Sequence, residues 1–128
     1  MKSNATFLRR VLAADAVASA ATGLLMLLAA APLEEWLAIP AGLLRAAGAS
    51  LLPFAAIVAW LALREKISRA GVGAVIALNV VWVVDSIALL FTGWVQPAML
   101  GYAFVLFQAA AVAALAELEY MGLRRATV

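Results

Sequence analysis

VGAVIALNVVWVVDSIALLFTGWV, residues 72–95, carries a single ionisable side chain, Asp85. A bilayer's hydrocarbon core is about 30 Å thick, and a helix rising about 1.5 Å per residue crosses it in about 20 residues. Backbone amides in lipid must bond within their own segment, so such a stretch is a helix. Three more stretches have the same character: Val11–Ala31, Ala46–Leu63 and Ala98–Ala116. The breaks between them have local causes. Pro32 and Pro40 bracket the first, the Arg64–Arg69 cluster makes the second, and Gly93-Trp94-Val95-Gln96-Pro97 turns the third. The fold expected is therefore an all-α integral membrane bundle of four transmembrane helices, one domain over residues 1–128.

Composition agrees. The 128 residues are 68% hydrophobic with a mean hydropathy of +1.09, where soluble domains are roughly half apolar. The run after Arg10 exceeds the ~7–15 apolar residues of a secretion signal and contains Asp15, so it is read as a retained first span. The chain has neither Cys nor His, which excludes disulfides, thiolate nucleophiles, imidazole bases and most zinc sites. No cofactor or metal is expected. The basic balance lacks the stripe with interleaved aromatics that nucleic acid requires, so the partners expected are the bilayer, a second copy or a larger membrane complex.

The basic residues set the direction of crossing instead. Lys2, Arg9 and Arg10 precede the first span, Arg64, Lys66 and Arg69 separate the second and third, and Arg124 and Arg125 follow the fourth. Only Arg45 falls on the opposite side, where its stem can snorkel. An inner-membrane location with both termini cytoplasmic is expected. Between Pro32 and Pro40, Glu34 and Glu35 lie near the start of a helical turn, and Leu33, Trp36 and Leu37 are expected on one face. That predicts a short interfacial helix over 32–39, anchored by Trp36.

The chain also resembles itself. Asp15 and Thr22-Gly23 recur as Asp85 and Thr92-Gly93 at an offset of 70, with Leu8/Leu78, Val11/Val81 and Ala18/Ala88. A weaker frame relates spans two and four through Gly48/Gly101, Phe54/Phe107 and Ala56/Ala109. Two tandem helical hairpins are expected, related by an axis along the membrane normal.

Intramembrane aspartates disfavour insertion by about 2.5–3.5 kcal/mol each, so each calls for a reason. Arg10 stands five residues before Asp15, about 140° round the helix, and no basic residue lies within a turn of Asp85. The two carboxyls are thus expected to be protonated donors, or sites awaiting a cation or proton. Asn79, Trp82, Asp85 and Ser86 are read as one stripe of span three. Asp15, Ser19, Thr22 and Gly23 are read as its counterpart, with Tyr102 and Gln108 on span four and Ser50 and Pro53 on span two. All are expected to converge on the bundle axis. The candidate ligand or proton site is thus Asp85, Asp15, Trp82, Asn79, Ser86, Tyr102 and Gln108, set against the plainer reading that polar and small residues hold helices together in lipid. Glu117 and Glu119 are expected at the interface, facing the basic cluster. Length and four-helix plan are similar to the small multidrug exporters and the small fluoride channels. The chain lacks the first-span glutamate pattern of the former and the Gly-rich arginine motif of the latter, and is placed in neither. The function expected is a non-catalytic membrane subunit, scaffold or interaction partner. A proton- or cation-coupled small transporter using Asp85 and Asp15 is the alternative.

Overall fold

The computed structural model describes residues 2–125, with side chains from Thr6 onward. All regular structure among them is helical: α1 (Lys2–Leu28), α2 (Ala30–Leu37), α3 (Ala41–Leu63), α4 (Arg69–Thr92) and α5 (Met99–Arg125). By length and composition, α1, α3, α4 and α5 can each cross a membrane. The span helices overrun most of the apolar stretches that marked them. A charged residue ends a hydrocarbon-soluble segment, but it does not end a ladder of i to i−4 hydrogen bonds, so α1 reaches back to Lys2 and α5 continues to Arg125.

The ends of the helices follow residue chemistry. Ser68 caps α4, its hydroxyl accepting from Gly71 N–H at 3.0 Å. Gly93, at φ +79°, ends α4 in the left-handed region that glycine enters without strain. The short helix begins at Ala30 and ends at Leu37, two residues earlier at both ends than the prolines suggested. Pro32 sits within its first turn, where a missing N–H is no loss. Leu33 and Leu37, one turn apart, are buried, whereas Trp36 is 63% exposed, so the three do not share one buried face.

α1 packs along α3, α4 along α5, and α1 also meets α5, whereas α3 and α4 scarcely touch. Round the bundle the order is therefore α3, α1, α5, α4, with an open flank between the last and the first. In lipid, burying leucine against leucine gains little over leucine against an acyl chain, so close backbone approach matters more. Gly23 and Gly48 supply it between α1 and α3, and Gly122 lies against Leu8 between α5 and α1.

One end of the bundle gathers the start of α1, the end of α3, the start of α4 and the end of α5. There Arg9 donates to the carbonyls of Ala62 and Arg64, both at 2.8 Å, and Arg69 donates to Leu123 O at 2.9 Å. At the other end Ala98 N–H donates to Leu37 O at 2.9 Å, tying the two remaining connections together. An apolar cluster fills each end: Leu8, Leu12, Val58, Leu61, Val72 and Val75 near the arginines, and Met26, Leu33, Leu37, Leu44, Leu51 and Val105 at the far end. Polar side chains lie between.

Candidate functional site

Three helices each contribute one polar side chain to the centre of the bundle. Asp15 of α1, Asn79 of α4 and Glu119 of α5 are all buried, Asp15 at 1% exposure and Glu119 at 0%. The Asn79 amide nitrogen donates one hydrogen to Asp15 Oδ2 and the other to Glu119 Oε1, both at 2.9 Å. Both neighbours are carboxyl oxygens, so the NH2 end of the amide faces them and its two donors are both used. Ser19, one turn beyond Asp15 on α1, donates to Asp15 Oδ1 at 3.0 Å. Among the described residues, Glu119 Oε2 alone is left buried without a hydrogen-bond partner.

A second polar group lies farther along α4. Trp82 Nε1 donates to Gln108 Oε1 at 2.7 Å, and Gln108 Nε2 donates to Ser86 Oγ at 3.1 Å and to Val105 O at 2.9 Å. Ser86 Oγ in turn donates to Trp82 O at 2.7 Å. This network pins α4 to α5 beside the open flank.

Asp85 belongs to neither group. It is exposed, and among the described residues it has no hydrogen-bond or ion-pair partner. It stands where two cavities meet on the α3–α4 side. One, of about 390 Å³, extends to Met26, Trp94 and Phe104; the other, of about 270 Å³, extends to Ser19, Ser50 and Asn79. Asp85 is the one ionisable side chain that lines either cavity.

Of the residues singled out in the sequence, Asp15 and Asn79 meet, as do Trp82, Ser86 and Gln108. Tyr102 is 41% exposed and joins neither group. Ser50 is exposed and bonds only to Ala47 O in its own helix. The expected convergence on one axis is thus replaced by two hydrogen-bonded groups and an isolated carboxyl. The physical reason is angular: Asp85 is six residues beyond Asn79, about 120° round the helix, while Trp82 and Ser86 stay within about 60° of it. Asp15 and Asp85 also differ, one buried and bonded, the other exposed and unbonded. Glu119, expected at the interface, is instead at the centre. It lies on the same face of α5 as the buried Val105, Ala109, Ala116 and Gly122, a spacing that could have marked it.

The arrangement offers carboxyls, amides and hydroxyls. Among the described residues no three His, Cys, Asp or Glu side chains are gathered closely enough to hold a metal ion. The class that fold and site define is an apolar helical bundle with a buried acid–amide–acid centre and an unpaired carboxyl on an open flank. Comparison with family models, curated proteins and solved structures finds no match to this chain.

Proposed function

We propose that the chain is a small non-catalytic protein of the inner membrane, both termini cytoplasmic, that works as a subunit or interaction partner. Another membrane component engages it on the flank between α3 and α4. The observation that carries this reading is Asp85, a carboxyl in a candidate span with nothing bound to it, beside a gap between two helices that scarcely touch. Polar groups at such depth are retained where they find a partner, and among the described residues none supplies one. The clustering of Arg9, Arg64, Arg69 and Arg125 at one end supports the direction of crossing. The close pairing of α1 with α3 and of α4 with α5 supports the tandem-hairpin reading, and the unlike surroundings of Asp15 and Asp85 weigh against it.

A photo-crosslinking residue at Leu78 or Leu89, both on the open flank, tests the reading in native membranes, with Val17 on the far side of α1 as control. The expected result is a discrete protein adduct at the flank positions, absent at Val17 and lost with Asp85→Asn. Lipid adducts alone at all three positions would refute it. The cavities meeting at Asp85 favour a second reading, a proton- or cation-coupled small transporter. In that case the purified chain alone in liposomes moves a cation or proton, and Asp85→Asn stops it.

A further inference from the structure

Asp15 and Glu119 raise a separate question, because two buried carboxyls share a single amide and no cation. Among the described residues, the elements packed around them place no compensating positive charge beside the pair. On α1, Arg10 is exposed and points away, and Arg9, six residues from Asp15 or about 9 Å along the axis, is spent on the carbonyls of Ala62, Arg64 and Glu65. α3 has no ionisable residue between Arg45 and Arg64, and α4 has none between Arg69 and Asp85. Arg69 is held by Leu123 O. On α5, Glu117 and Tyr120 are exposed, and Arg124 and Arg125 lie at the helix end, over Tyr120 and Phe7. Two like charges this close and this far from water cannot both persist.

The orphaned oxygen indicates what is missing. Glu119 Oε2 has no donor although it is completely buried, and a single Asn79 amide nitrogen holds the carboxyls of Glu119 and Asp15, each at 2.9 Å. A proton taken up by the pair removes the second charge, which otherwise leaves that oxygen in need of a donor. A metal ion does not suit the place. Asn79 turns both of its N–H hydrogens toward the carboxyls, so a cation there would face two positive hydrogens, and only two carboxyls are present to offset it.

We infer that Asp15 and Glu119 hold one proton between them, making the centre of the bundle a proton-binding site that links α1, α4 and α5 and carries a single negative charge. The proton forms an O–H bond on one carboxyl and leaves the other as the carboxylate, with the Asn79 amide held by both. Its exchange route is the cavity of about 270 Å³ on the open flank, whose wall includes Ser19 and Asn79, the two side chains that donate to Asp15. Deprotonation leaves two facing carboxylates with a lone amide between them and loosens the hold on α4. This site is distinct from the role assigned to Asp85 and survives if that role fails.

Infrared spectroscopy of the purified protein in detergent counts protonated carboxyls directly. Asp85→Asn serves as the parent, removing the other carboxyl of the bundle's middle. At neutral pH the parent is expected to show one protonated carboxyl per chain, and its band should shift when the Asp and Glu side chains carry ¹³C carboxyls. Adding Glu119→Gln retains a donor to Asp15 and the same net charge, so the fold persists and the band disappears. Asp15→Asn has the same outcome from the other side. No protonated carboxyl in the parent, two of them, or a band that survives either added change would overturn the inference. The isotope count on the parent decides the matter even if an added change prevents folding.

Discussion

Gly23 and Gly48 face each other across the α1–α3 interface so closely that a Cβ on Gly48 would stand 2.6 Å from the Gly23 carbonyl oxygen. The same atom would lie 2.9 Å from Leu27 N, so backbone confronts it from two directions. Neither obstacle is the movable tip of a side chain. Between helices in lipid, apolar burial alone gives little reason to associate, and a close backbone approach of this kind supplies one.

Replacing Gly48 by Ala is therefore expected to force the two helices apart and destabilise the bundle by about 1–3 kcal/mol, the usual scale for overpacking. Gly42, in the same helix, has nothing within 4 Å of its notional Cβ. Gly42→Ala should be neutral or stabilising by up to about 1 kcal/mol through helix propensity. Thermal unfolding in detergent, with both variants side by side, measures the difference. Equal behaviour of the two would show that the close approach does not hold the hairpin.

Asn79→Leu removes both donors from the acid pair while conserving bulk. Each buried oxygen deprived of its donor costs about 1–3 kcal/mol, and two are affected. A loss of several kcal/mol is expected in denaturant titration, against about 1 kcal/mol for Trp82→Phe, which leaves a single part-buried acceptor, Gln108 Oε1, without its donor. Similar losses for the two substitutions would mean that the centre contributes no more than an ordinary polar contact.

Ala38 ends α2 at φ 56°, ψ 41°, and is the one non-glycine residue with positive φ among those described. An L-residue held there is strained by about 1–2 kcal/mol, which glycine does not suffer. Ala38→Gly is accordingly expected to raise the unfolding midpoint, the gain trimmed to about 0.5–1 kcal/mol by glycine's freer unfolded chain. A lower midpoint would contradict the left-handed turn at this position.

Because the chain has no cysteine, single-cysteine labelling has no background. Trp36→Cys, exposed on α2, is expected to react from outside the cell, and Ser68→Cys, the cap of α4, only after the inner face is opened. Labelling of Ser68→Cys from outside would reverse the proposed direction of crossing.

Four apolar helices and their breaks were legible because lipid solubility depends on local composition alone. The polar side chains inside them were legible for the same reason, since an Asp, Asn, Gln or Trp in such a stretch stands out. Their partners were not. Which faces meet depends on how each helix is rotated and where helices approach, and this set Asn79 inward while leaving Asp85 on the flank. The sequence reads Glu119 as interfacial because it lies beyond Ala116, where the apolar count stops, and close to the arginines at the end of α5. Arg9 counted in the sequence only as a topological charge, whereas its guanidinium caps the carbonyls at the end of α3.

The Asn79 amide finds one partner 64 residues earlier in the chain and the other 40 residues later. A ribosome delivers these residues in order, so α1, with Asp15, is made long before α4 exists to meet it. Until Glu119 has emerged, Asn79 has one donor without its acceptor. The centre thus closes only once α5 has been made, and a chain cut short before α5 keeps a half-paired acid in an apolar helix. Such a fragment differs from the closed bundle in one chemical respect: an acid and an amide lie without the partner that α5 brings.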